Sequence, residues 1–222
     1  PLLNLITQQL NYEWRKMTGP GALQPDMVYH IFNRGINGEN IFREERNYTY
    51  FFGLYMKYVE PVVETYAYCL LKNHFHLLVK VRGEGMGSGD NQTFGDSETL
   101  KVLRHDPSTA FSNFFNAYAK GFNKTYGRTG SLFEHPFHRV MVTVDAQFTA
   151  TVRYIHQNPQ KHGFVDDFRD WPYSSYGTLI SDKDTRLDRE AVQSWFGGYD
   201  GLVEDHSVLV NDGHFNETMD FF

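Results

Sequence analysis

Tyr66-Ala67-Tyr68-Cys69-Leu70-Leu71-Lys72-Asn73-His74-Phe75-His76-Leu77-Leu78-Val79-Lys80-Val81 is the stretch on which the reading of this chain turns. Two apolar runs, 62 to 71 and 74 to 81, flank the polar pair Lys72-Asn73, so the segment reads as a β-hairpin. Strand side chains alternate, which sorts the second run into two faces. Phe75, Leu77, Val79 and Val81 form a wholly apolar set and belong against a core. His74, His76, Leu78 and Lys80 form a largely polar set, expected to look toward solvent, a ligand or a metal. Imidazole is the commonest protein metal ligand, yet two of them do not fix an ion tightly, and a third ligand has to come from elsewhere. The competing reading is a pair of partly exposed strand histidines.

Outward from the hairpin, the periodicities give the order β, α, β, β, α, β, α. Val28 to Phe32 is a short strand closed by Asn33-Arg34-Gly35, and helical spacing runs from Glu44 to Val59 before Glu60-Pro61. A helix is expected from about Ser108 to Tyr126, a strand from Arg139 to Val144, and a helix capped by Asp145 that ends at Asn158-Pro159. This order predicts an α+β fold, a ferredoxin-like split βαβ sandwich whose four-stranded antiparallel sheet carries helices on one face, followed by an added helix and a C-terminal tail. Three segments result: an N-terminal extension over 1 to 26 with a weak helix from Leu3 to Met17, a main domain over 27 to 163, and an aromatic, acidic extension over 164 to 222. A mobile loop rich in Gly, Ser and Asp is expected over 83 to 99.

Charge is distributed unevenly. The net charge of −6 argues at first against a polyanionic partner. Residues 101 to 163, however, hold eight basic and three acidic side chains, and residues 164 to 222 hold four and thirteen. A basic middle followed by an acidic end fits a nucleic-acid partner, and fits equally an end that only solubilises. The single cysteine, Cys69, excludes a disulfide framework and fits a reducing, cytoplasmic setting. No run approaches a membrane span and no signal peptide is apparent; the start at Pro1 is expected to be processed, truncated or partly vector-derived. Aromatic residues make up 16% of the chain, enough both to fill a core and to offer rings for base stacking.

The helix after Asp145 carries Tyr154-Ile155-His156-Gln157-Asn158. Positions i and i+4 share a helical face, so Tyr154 and Asn158 point together while Ile155 and His156 turn aside. A phenol beside an amide suits a nucleophile next to a metal ligand. It suits equally a packed tyrosine and an asparagine capping the helix before Pro159.

His74-Phe75-His76 followed by Arg153-Tyr154-Ile155-His156-Gln157-Asn158-Pro159-Gln160-Lys161-His162-Gly163 resembles the single-tyrosine HUH transposases, and most closely the REP-associated tyrosine transposases. Tyr29-His30-Ile31-Phe32-Asn33-Arg34-Gly35, Tyr126-Gly127-Arg128-Thr129-Gly130-Ser131-Leu132-Phe133 and Trp171-Pro172-Tyr173-Ser174-Ser175-Tyr176 are similar too, and the likeness covers about residues 27 to 200. It implies that His74, His76 and Asn158 bind a divalent ion, Mg²⁺ or Mn²⁺, and that Tyr154 attacks single-stranded DNA at hairpin-forming sites through a 5′-phosphotyrosine intermediate. Lys72 departs from the family, which commonly has proline there, and the acidic end is longer than catalysis needs. Lys120, Lys124, Arg128, Arg139 and Arg153 are the expected phosphate contacts. His135, His138, His156 and His162 are lesser candidate ligands, and Tyr118 and Tyr126 lesser nucleophiles. The assembly is expected to be a monomer or homodimer. Two other functions remain: a non-catalytic binder of single-stranded or hairpin DNA on the same sandwich, and an unrelated metal-dependent hydrolase in which Tyr154 is structural.

Overall fold

The computed structural model describes residues 22 to 83 and 106 to 209. The expected helix from Leu3 to Met17 and nearly all of the expected loop over 83 to 99 lie outside them. Four strands, β1 (Val28–Arg34), β2 (Val63–Leu70), β3 (His74–Val81) and β4 (His138–Val142), form one sheet in the order β2-β3-β1-β4. Every neighbouring pair is antiparallel. Helix α1 (Glu45–Tyr58) connects β1 to β2, and α2 (Pro107–Tyr126) precedes β4. Each joins two parallel strands that have a third strand between them, which is the split βαβ arrangement read from the sequence.

The two faces of β3 are buried against different layers. Phe75, Leu77, Val79 and Val81 meet α1 and α2 in a core that includes Phe51, Tyr55, Phe111, Phe114 and Tyr118. These helices present that face because their apolar residues recur at three and four positions. Asp106 starts α2 by accepting from the Thr109 backbone N–H, Pro107 suits its first turn, and Gly127 ends it at φ +62.

The opposite face is where the structure departs from the sequence reading. It is covered, not open to solvent: His74 is 3% exposed, and His76 and Leu78 are fully buried. Helix α3 (Asp145–Lys161) lies over it, so helices occupy both faces of the sheet. Residues 164 to 209, expected as part of an extension, pack there as well, through α4 (Tyr176–Leu179), α5 (Arg189–Trp195) and α6 (Tyr199–Ser207). Phe168, Leu179, Val192 and Leu202 from this segment join Val152 and Ile155 of α3 in a second apolar core. The segment looked like a tail because its helices are short and its exposed faces acidic, which hides a few fully buried apolar anchors.

Two details of α3 also differ. Val144 occupies the N-cap and Asp145 the first helical position, while Gln147 accepts from the Thr143 N–H. The helix continues through Pro159 to Lys161, and the His162 N–H bonds back to the Asn158 carbonyl. Pro159 deprives only the Ile155 carbonyl of a partner, a loss that an anchored last turn tolerates.

The motif from Trp171 to Tyr176 protects the outer edge of the sheet. The β2 edge would otherwise present unpaired backbone groups. Leu70 donates its N–H to the Tyr173 carbonyl at 2.9 Å, Ser175 donates its N–H to the Tyr68 carbonyl at 2.9 Å, and the Trp171 indole donates to the Leu70 carbonyl at 2.9 Å. Tyr173 also stacks on Tyr48 of α1.

Candidate active site

His74 and His76 come from β3 because that strand alternates, and Tyr154 and Asn158 come from α3 because that helix places i and i+4 on one face. The fold brings the four together. His74 Nε2 lies 3.0 Å from Asn158 Oδ1, and the His76 and Tyr154 rings meet edge to face at 5.4 Å. Asn158 is fully buried and Tyr154 is 5% exposed. The capping alternative for Asn158 fails here, since its side chain is aimed at His74.

A fifth member was missed from the sequence. His30 of β1 is fully buried, with Nε2 2.9 Å from Nδ1 of His76. Its signal was present in the alternation of β1, which places His30 on the face opposite to the core residues Tyr29 and Ile31. What alternation alone lacked was the pairing of β1 with β3.

Burial sets the protonation of this group. It pushes His30 down to about 3 and His74 to about 4, the latter partly offset by Asn158, and holds His76 well below the usual imidazole range with its neighbour His30 acting the same way. All three are neutral at pH 7. Neutral His74 has one ring N–H for two amide oxygens, Asn73 Oδ1 at 2.7 Å from Nδ1 and Asn158 Oδ1 at 3.0 Å from Nε2, so in either tautomer one ring lone pair faces an oxygen in a buried space. His76 Nε2 and Asn158 Nδ2 have no hydrogen-bond partner among the described residues.

This donor set fits a cation. Adjacent ligands of an octahedral ion at 2.0 to 2.1 Å are about 3.0 Å apart, which is the separation of His74 Nε2 and Asn158 Oδ1. Asn73 and His30 hold the Nδ1 atoms of the two imidazoles, as outer partners of metal-bound histidines do. Turning the Asn158 amide over would pair its NH₂ with His74 instead, so the amide orientation distinguishes an ion-ready state from a self-satisfied one. Among the described residues no three His, Cys, Asp or Glu side chains are arranged to hold an ion, so the two imidazoles would need a ligand of another type, such as the amide oxygen.

The expected phosphate contacts are dispersed. Lys120 and Lys124 are on α2 and Arg128 follows its C-terminal turn, across the sheet from Tyr154. Arg128 is held by Glu39 and Asn123, Arg139 stacks on Phe137, and Arg153 is paired with Asp205 at 2.6 Å. Other polar side chains lie nearer the cluster. The Lys161 ammonium lies 5.4 Å from the Tyr154 ring centre, and the His162 ring 4.9 Å from that of His74. Of the other histidines, His138 stacks on Phe32, and His156 is bonded to His206 and Ser175. The rival nucleophiles are engaged on the opposite face: the Tyr118 phenol donates to the Ile41 carbonyl at 2.6 Å, and that of Tyr126 donates to Glu44.

Fold and site together define an α+β protein with a histidine, tyrosine and asparagine centre between a split βαβ sheet and the helix that follows it. The chain resembles the REP-associated tyrosine transposases: it is 30% identical over 115 residues to a curated Haemophilus influenzae protein named for that group. The match takes in 51% of this chain and 58% of the relative, so the chain spans little more than half of that protein's length. A solved REP-associated tyrosine transposase bound to a REP hairpin covers 73% of this chain and 84% of its own, at 16% identity and a TM-score of 0.49. No family model matches the chain. No described helix is long and apolar enough to cross a membrane.

Proposed function

We propose that the protein is a metal-dependent transposase that cleaves and rejoins single-stranded DNA at hairpin-forming sites, with Tyr154 as nucleophile. The observation that carries this reading is the convergence of two neutral imidazoles, an amide oxygen and a phenol from segments about 80 residues apart. A structural cluster would satisfy its polar atoms internally, whereas this one leaves His76 Nε2 without a partner and sets two acceptors face to face.

His74, His76 and Asn158 would hold Mg²⁺ or Mn²⁺, which when bound supplies Lewis-acid polarisation of the scissile phosphate. Tyr154 forms a bond to phosphorus as the bond to the 3′ oxygen breaks. The phenol proton is lost, the departing oxygen takes up a proton, and the products are a 5′-phosphotyrosine and a free 3′-OH. The phosphodiester's energy is kept in the protein link, so rejoining needs no nucleotide cofactor. Lys161, beside the Tyr154 ring, places positive charge where phosphate charge must be accommodated.

The test is a single-stranded oligonucleotide carrying a hairpin from sequence flanking the gene, incubated with Mn²⁺. The expected result is a DNA adduct that survives denaturing electrophoresis, maps to Tyr154 by peptide mass, and disappears in Tyr154→Phe while hairpin affinity stays within threefold. Binding without cleavage would establish the non-catalytic binder, and cleavage without an adduct the hydrolase.

A further inference from the structure

The face of α3 that turns away from the histidines is fastened to α6 by residues interleaved with the proposed site. Arg153, His156 and Gln157, at i, i+3 and i+4, immediately precede or fall between Tyr154 and Asn158. Arg153 Nη1 donates to Asp205 Oδ1 at 2.6 Å, and the Gln157 amide donates to the carbonyls of His206 and Val208 at 3.3 and 2.9 Å.

Between these contacts runs a buried chain of hydrogen bonds with one consistent direction. The Leu202 carbonyl can only accept, so His206 Nδ1–H donates to it at 2.8 Å. Neutral His206 then has a lone pair on Nε2, which accepts from His156 Nδ1–H at 2.8 Å. His156 Nε2 in turn accepts from Ser175 Oγ–H at 2.8 Å, and Ser175 Oγ accepts the Tyr68 N–H of β2 at 2.8 Å. His156 and His206 are both fully buried and every ring nitrogen has a partner, in contrast to the His30, His76 and Asn158 group. The fully bonded imidazole pair fixes position even though Arg153 Nε and Asp205 Oδ2 beside it lack a partner among the described residues; the orphaned imidazole nitrogens belong to the proposed site.

We propose that α6 is a latch on the nucleophile helix, in which His206, acting through His156, is a positioning residue for Tyr154 and Asn158. The catalytic consequence rests on the Tyr154 reading above. A tyrosine oxygen lies roughly 8 Å from its helix axis, so a 10° roll of α3 would displace it by about 1.4 Å. Displacements of that order cost about a hundredfold in rate. The sheet holds α3 through apolar contacts and through the bond from His156 by way of Ser175 to β2, while α6 supplies the directional bonds to Arg153, His156 and Gln157.

The experiment combines adduct formation at saturating hairpin oligonucleotide with hydrogen exchange across α3. In His206→Leu, which removes the acceptor at similar volume, the adduct rate should fall at least tenfold, hairpin affinity should stay within threefold, and α3 amides should exchange at least tenfold faster while β1 and β3 stay protected. His206→Gln, whose Oε1 can accept from His156, should restore the rate to within threefold of the parent. Gln157→Met, which removes the side-chain amide at similar length, should show the same pattern more weakly and serves if His206→Leu does not fold. Parent-like rate and α3 exchange in both His206→Leu and Gln157→Met, a glutamine variant as impaired as the leucine one, or equal loosening of α3 and the sheet would each overturn the latch. If the parent forms no adduct, the nucleophile reading fails and α3 exchange alone decides the latch.

Discussion

His76 shows how much one side chain can be asked to do here. Its Nδ1 is held by His30 and its Nε2 is left for a ligand, while the ring is fully buried. Replacing it by alanine removes a ring from a packed space and leaves His30 Nε2 unpaired, a loss of about 2 to 5 kcal/mol. His76→Ala is therefore expected to lower the melting temperature measurably, and His76→Gln is the better probe of ion binding. His30→Phe keeps an aromatic ring in place but removes the outer partner, so Mn²⁺ affinity measured calorimetrically should weaken about 10- to 100-fold. Unchanged affinity in His30→Phe would show that the His30 to His76 bond is only structural.

At the scale of elements, the segment after Phe164 is part of the fold. A chain ending at Ile180 loses α5 and α6, and with them the fully buried Val192 and Leu202, at about 1.5 to 3 kcal/mol each. For a domain of this size that corresponds to roughly 10 to 20 °C in melting temperature. Such a shortened chain should unfold at markedly lower temperature in a calorimetric scan. An acidic tail that merely competes for a DNA surface predicts instead an unchanged transition and tighter binding at low salt. The cations of α2 are a separate matter, because they lie across the sheet from Tyr154. If they track a single strand, Lys120→Ala with Lys124→Ala should lower the slope of log affinity against log salt by about 1.4, and an unaltered slope would remove them from the interface.

For the whole molecule, the buried histidines tie stability to pH. Burial holds His30 at about 3, His74 and His206 at about 4, and His76 and His156 well below their ordinary value. In the unfolded chain each titrates near 6.5. Between about pH 6.5 and 4 the unfolded state thus binds protons that the folded state refuses. Their contribution to stability is full above pH 6.5 and is lost as pH falls, each imidazole steepening the decline by at most about 1.4 kcal/mol per pH unit. Melting temperature should be level from pH 8 to 7 and drop steeply below 6. A level profile down to pH 5 would mean that these imidazoles are hydrated in solution.

What the sequence determined by itself was local and periodic. Two-residue alternation around Lys72-Asn73 fixed the hairpin and the faces of β3, and the four-residue interval from Tyr154 to Asn158 fixed their common side of α3. The succession of periods gave the split βαβ order, because each element must bury one face against the next. Only the tertiary structure decided that the histidine face is sealed by a second layer, that His30 stands beside His76, and that α6 grips α3 through His156 and His206. These are contacts between residues some 45 to 50 positions apart or more, set by which strand pairs with which and by a few buried anchors. Periodicity records which way a side chain points and says nothing of what comes to meet it.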